Sequence, residues 1–165
     1  MSENILQSKE FVKACKDATK KALAGKVKDE DVKEFLNHMP SETEKALRAV
    51  GLPAPAEAIG ETYTVLIYGY VKCTPTHLDH YFEANHWGLG LAGVKGYGFL
   101  YTAYDSWDSL FRETTGYHAQ GIAEAGGILQ INWFNGSGVP VGQFNAAAVG
   151  IGAFEVGGKG HWEKK

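Results

Sequence analysis

The chain changes character at Pro53-Ala54-Pro55, and that break limits the folds open to it. Residues 1–56 hold two of the 21 glycines and two of the 20 aromatic residues, and the rest fall in 57–165. The first part carries 10 of the 16 Lys/Arg, so it is rich in charge and poor in turn formers. A helical segment followed by a β domain is the architecture this division allows, an α+β protein with segments 1–56 and 57–165.

Three short amphipathic helices are predicted in the first segment. One spans about residues 3–24, with Ile5, Phe11, Cys15, Ala18 and Ala22 at three- and four-residue steps and Gly25 as a stop. A second starts near Asp29, aligns Val32, Phe35, Leu36 and Met39, and ends at Pro40. A third opens on the capping box Ser41-Glu42-Thr43-Glu44 and closes at Gly51. Helices this short cannot bury much alone, so they form a small bundle or pack on the β domain. Lysine-rich helix 1 also admits a membrane-surface reading, weakened by a small apolar face without tryptophan.

Strand signals begin after Gly60. Glu61 to Cys73 is rich in Thr, Tyr, Val and Ile, and both its faces are largely apolar. It is therefore expected to be covered on both sides, at least in part. Tyr81–Leu91 and Lys95–Tyr104 follow, with a break expected around Gly93, and then a short capped helix over 105–112. Thr114–Ala123 is the next strand. In 128–134, Leu129, Ile131 and Trp133 alternate with Gln130 and Asn132. Asn135-Gly136 predicts a tight turn into Val139–Asn145, and Ala146–Val156 continues the sheet. Gly88 with Gly90, and Gly150 with Gly152, place small residues at alternate positions, as a tightly curved sheet requires. Seven or eight strands with such curvature predict a compact antiparallel barrel with a filled interior.

Composition excludes several classes. Residues 57–165 sum to −4 and residues 1–56 to +1, so there is no basic footprint for nucleic acid. No apolar run approaches the roughly 18 residues of a membrane-spanning helix. Cys15 and Cys73 form neither a disulfide framework nor a zinc site, and Cys15 reads as a buried free thiol. The N-terminus has no basic region followed by an apolar one. The expectation for the chain as written is therefore a cytoplasmic protein, a leaderless export route or a trimmed mature form.

Three stretches resemble the rhodococcal virulence-associated proteins, the Vap family. They are Gly98-Phe99-Leu100-Tyr101-Thr102 with Asp108 to Thr114, the run Leu129 to Asn135, and Val149 to Gly152 with Gly157 to Trp162. The resemblance spans roughly residues 62–162. It implies an eight-stranded antiparallel barrel with Greek-key connections and one short helix, and no established catalytic residues or cofactor. It also implies secretion and, from the best-known member, action on host endolysosomal membranes. The helical N-terminal segment stands where that family has a leader and a poorly ordered region.

Candidate functional residues fall in two groups. His77, Asp79 and His80 are the densest polar cluster, with His86 nearby, though a metal would need three or four convergent ligands. The aromatic residues Tyr81, Trp87, Tyr101, Tyr104 and Trp107 belong to a larger set able to floor a sugar or lipid site, or simply to fill and rim a barrel. Neither a nucleophile elbow nor a dinucleotide fingerprint is present. Asn135-Gly136-Ser137 matches a glycosylation acceptor that turn formation explains equally well. Five histidines in the β part would move its charge from −4 toward about +1 near pH 5, favouring anionic lipid. The leading expectation is a non-enzymatic Vap-like barrel acting on a lipid membrane or a host protein. A small-molecule or glycan-binding barrel, and a small enzyme built on His77, Asp79 and His80, are the alternatives. Neither metal nor cofactor is expected.

Overall fold

The computed structural model describes residues 9–38, 44–122 and 127–165. Two strands dominate it. β1 (Ala56–Pro75) and β2 (His80–Thr102) pair antiparallel from Ala56↔Leu100 to Cys73↔Phe82. At 20 and 23 residues, each is about as long as two or more ordinary strands. The break expected at Gly93 does not occur, because Gly93 pairs with Tyr63 on one side and Ile151 on the other. Then come β3 (Gly116–Ile122), β4 (Ile128–Phe134), β5 (Pro140–Ile151), β6 (Ala153–Lys159) and β7 (Trp162–Lys164). The sheet order is β1-β2-β5-β4-β3-β6, with β7 paired to the start of β2. β6 returns beside β3, the first strand of the β3-β4-β5 meander, which is a Greek key. β6 also lies against β2, so the sheet curls into a half-closed barrel. This is the expected α+β class, with about eight strands once the lengths of β1 and β2 are weighed.

Two connections differ from expectation. The turn after β4 spans Asn135–Val139 rather than two residues. Asn135 Oδ1 accepts from the backbone N–H of Ser137 and Val139, and Gly138 takes the left-handed conformation at φ 77°. Ala146–Val156 is two strands, not one. Gly152 (φ 79°) turns the chain from its pairing with β2 across to β3.

The barrel interior is filled by side chains alternating along each strand. Phe82 makes edge contacts with Tyr117, Trp133 and Trp162, at ring separations of 5.3, 5.5 and 5.7 Å. A short helix lies between β2 and β3 at Trp107–Glu113. Its Ser106 cap accepts from the Ser109 N–H, and it inserts Leu110 and Phe111 into the same core.

β1 changes phase in the middle. Even-numbered residues from Ala58 to Thr64 are buried, but odd-numbered ones from Gly69 to Cys73. A bulge between Leu66 and Tyr68 makes the switch, and Leu66 sits there in the left-handed region at φ 59°. A leucine in that conformation is strained by about 1–2 kcal/mol, and glycine is not. After allowing for the greater chain entropy of glycine, Leu66→Gly is expected to stabilise the fold by roughly 0.5–1 kcal/mol, read as a higher urea midpoint.

The N-terminal helices, here α1 (Lys9–Leu23), α2 (Asp29–His38) and α3 (Glu44–Ala49), pack on the outside of the sheet. Leu23, Val32, Phe35, Leu36 and Leu47 form a second small core with Tyr101, joined at its edge by Phe99 and Phe134. The capping residues 41–43 lie outside the described residues. Gln130 and Asn132, expected opposite the β4 core face, are buried beneath α1 with Gln120, Gln143 and Asn145. Their amides bond to one another and to the helix. Gln130 donates to the Cys15 carbonyl at 3.0 Å, Gln120 to the Ala18 carbonyl at 3.1 Å and Gln143 to Thr19 Oγ1 at 2.8 Å. Every polar group that α1 covers in this set thereby keeps a partner. Cys15 is a buried free thiol, as expected, and burial pushes its pKa up to about 12. The small apolar face of α1 is used in this packing.

Candidate interaction surface

The outer face of β1, β2 and β5 alternates with the core face, and most of it is bare. Eight of the eleven large hydrophobic side chains that the described residues leave exposed lie there, namely Ile59, Tyr63, Tyr68, Trp87, Leu91, Tyr97, Val149 and Ile151, and Leu66 and Ile67 stand exposed at the bulge in β1. Strand register arranges them in rows. Ile59, Tyr97 and Ala147 lie across from one another, then Glu61, Lys95 and Val149, then Tyr63, Gly93 and Ile151, then Val65 and Leu91. Beyond these, Leu66 (75% exposed) and Ile67 stand exposed at the bulge, and Tyr68 meets Trp87 (76% exposed) edge to face at 5.8 Å. The rows cover about 20 Å along the strands and about 10 Å across them. Glu61 and Lys95 are the charged pair in those rows. A contiguous apolar field of this kind is a candidate contact surface.

This corrects the expectation that β1 is covered on both faces. The same outward stripe of β2 is covered at Phe99 and Tyr101, where the helices pack, and bare at Tyr97, Lys95, Leu91 and Trp87.

The nine residues singled out in the sequence are distributed over several places. His77 and Asp79 are exposed in the β1–β2 turn. Asp79 Oδ1 lies 2.7 Å from His80 Nδ1, and the His80 ring stacks on Phe111 at 4.5 Å. The His80 bond holds the Asp79 carboxyl below its ordinary range. Tyr81 lies under the Lys72 ammonium, 5.6 Å from the ring centre. His86 points inward and shares a 2.8 Å hydrogen bond with Thr64, whereas neighbouring Trp87 points out into the apolar field. Tyr101 is buried under the helices, and Tyr104 and Trp107 pack on the main core. Trp87 is therefore the member of the nine that belongs to the bare surface. Tyr63, Tyr68 and Tyr97 of the larger aromatic set lie there too, and the aliphatic members of the field were missed because their signal is a strand phase rather than a motif. Among the described residues no three His, Cys, Asp or Glu side chains are grouped to hold a metal. No described helix is long and apolar enough to cross a membrane.

The histidine arithmetic also changes. Burial pushes His86 below the ordinary histidine value. Burial does the same at His118, where the Glu155 hydrogen bond at 2.8 Å offsets only part of it. Both therefore take up a proton less readily than a free histidine, so acid moves the charge of the β part less far than the five-histidine count toward +1. The stability consequence has a definite sign. The unfolded chain takes up protons at these two sites first, so stability is full above about pH 6.5 and falls as pH drops through the lowered values. The urea midpoint is expected to be lower at pH 5 than at pH 7.5, and His86→Gln should shrink the difference. A midpoint that rises toward pH 5 contradicts this.

A curled Greek-key sheet with a filled interior and a bare apolar outer face defines a class of compact β proteins. Within that class the comparisons are specific. The family model of the Rhodococcus equi virulence-associated protein matches residues 4–163, and the chain belongs to this family. The match includes the N-terminal helices, beyond the 62–162 of the sequence resemblance. Among solved structures, VapB of the intracellular pathogen R. equi is 23% identical and superposes with a TM-score of 0.53, over 67% of this chain and 97% of that one. VapD of R. equi is 24% identical, also at 0.53, over 66% of this chain and 96% of that one. These two likenesses show the fold. No curated protein matches the chain.

Proposed function

We propose that this chain acts by laying the outer face of β1, β2 and β5 on a lipid surface, and that it works as a virulence-associated protein through that contact rather than through catalysis. The observation that carries the reading is the composition of the bare field. Aliphatic side chains (Leu66, Ile67, Leu91, Val149, Ile151) lie among amphipathic rings (Tyr63, Tyr68, Trp87, Tyr97), the mixture suited to the boundary between headgroups and acyl chains. VapB and VapD are virulence-associated proteins of an intracellular pathogen, which supports a secreted or surface-exposed role here. The strained Leu66 fits the same reading, since it holds an apolar pair outward at the cost of stability.

Flotation of the full chain with neutral and anionic vesicles tests this. The wild type is expected to float, and the double variant Leu91→Asp/Val149→Asp to lose at least tenfold in vesicle affinity without losing its fold. Leu66→Gly should float more weakly while being more stable. Equal flotation of the double variant and the wild type contradicts the reading.

A further inference from the structure

A groove of about 880 Å³ runs on the flank away from the apolar field, between the end of the first helix and strands β3 and β6. Its size lies within the range of small-molecule sites, roughly 300–1,000 Å³. The N-terminal segment builds one wall with Leu23, Lys26 and Val27. Phe134 adds apolar surface from the sheet, and Lys159 and His161 stand along the same groove. The groove is therefore an apolar slot with cations beside it.

The charges can be counted. Glu155 is already engaged, with Lys26 Nζ at 3.8 Å and His118 Nε2 at 2.8 Å. His118 is buried and resists protonation, and its Nδ1 has no hydrogen-bond partner. Lys26 and Glu155 cancel, which leaves Lys159 as the uncompensated charge of the lining near neutral pH. A single positive charge beside an apolar slot matches a monoanion with a hydrocarbon body. A dianionic phosphomonoester would leave the site with excess negative charge next to Glu155.

We infer that this groove binds a long-chain monocarboxylate, with its head at Lys159 and its chain along Val27 and Phe134. The site does not rest on the membrane reading, because it shares no residue with the outer face of β1, β2 and β5. It gives the N-terminal helical segment a role, that of building one wall.

The test is titration of the full chain at pH 7.5 with a dansyl-labelled undecanoic acid, with its methyl ester and with a single-chain alkyl phosphate. Saturable one-to-one binding of the acid is expected, with the ester and the phosphate each about tenfold weaker. Lys159→Glu should weaken the acid at least tenfold, Val27→Trp should block it by filling the slot, and Leu91→Asp should leave it unchanged. Absence of saturable binding, binding of the ester or the phosphate as tight as the acid, or affinity within twofold of wild type in both groove variants overturns the assignment. Loss of binding in Leu91→Asp alone overturns it too, by moving the ligand to the outer face.

Discussion

Replacing Phe82 by Ala is expected to lower the stability of the fold by about 3–5 kcal/mol. Phe82 is fully buried and contacts three other aromatic rings, Tyr117, Trp133 and Trp162. It also pairs with Trp162 on β7, so it ties the C-terminal strand to the start of β2. The substitution opens a cavity that rigid neighbouring rings cannot close. One feature moderates the loss. Tyr117 Oη and the indole nitrogens of Trp133 and Trp162 are buried without a hydrogen-bond partner, so water entering the cavity would find polar groups to bind. The cost should therefore fall near the lower end of the range, and Phe82→Leu should cost less than half as much. Urea denaturation followed by near-ultraviolet circular dichroism reads both variants.

Gly98→Val should cost roughly 3 kcal/mol or more, for the opposite reason, overpacking. Gly98 lies on β2 opposite Ala146 of β5. A Cβ there would stand 1.9 Å from the Asn145 carbonyl oxygen and 2.8 Å from the Ala146 Cα. Both are backbone atoms in a paired strand, so no side-chain rotation relieves the clash, and β2 and β5 must separate. The separation would also disturb Asn145, whose side chain accepts from Gln130 at 2.8 Å in the amide set under α1. The helical segment is then expected to loosen with the sheet. Gly136→Ala is the control, since a Cβ there meets nothing within 4 Å. A Gly98→Val protein with the wild-type midpoint would show that the two strands are not held at this separation.

The parts of the fold that were legible in the sequence are those with local causes. The composition change at Pro53 separates the helices from the sheet. Alternation placed Leu129, Ile131 and Trp133 on the core face, and Ser106 with its neighbours marked the short helix. What was not legible depends on partners distant in sequence. Gly96, Gly98, Gly150 and Gly152 let β2 approach β5, and of these the sequence pattern marked the pair at 150 and 152, whereas Gly96 and Gly98 emerge from the strand register. Gln130 and Asn132 read as an outward polar face, yet a helix more than 100 residues earlier covers them. The bare apolar field was hidden for the same reason. Alternation of Tyr, Val, Ile and Leu in β1 shows two apolar faces, and whether the second is covered depends on where three short helices land. The polar cluster His77, Asp79 and His80 was conspicuous because it is local, and it lies apart from that field in the β1–β2 turn.

The central claim is that the face carrying Trp87 meets lipid, and quenching of tryptophan by brominated acyl chains tests it most directly. Trp133 and Trp162 are buried and Trp107 is partly covered, so Trp87 is the indole that a bilayer would reach. With the full chain and vesicles of brominated lipid, emission is expected to fall, and most of that fall should vanish in Trp87→Phe, which keeps an apolar ring in place. No quenching in the wild type, or equal quenching in Trp87→Phe, would contradict the account.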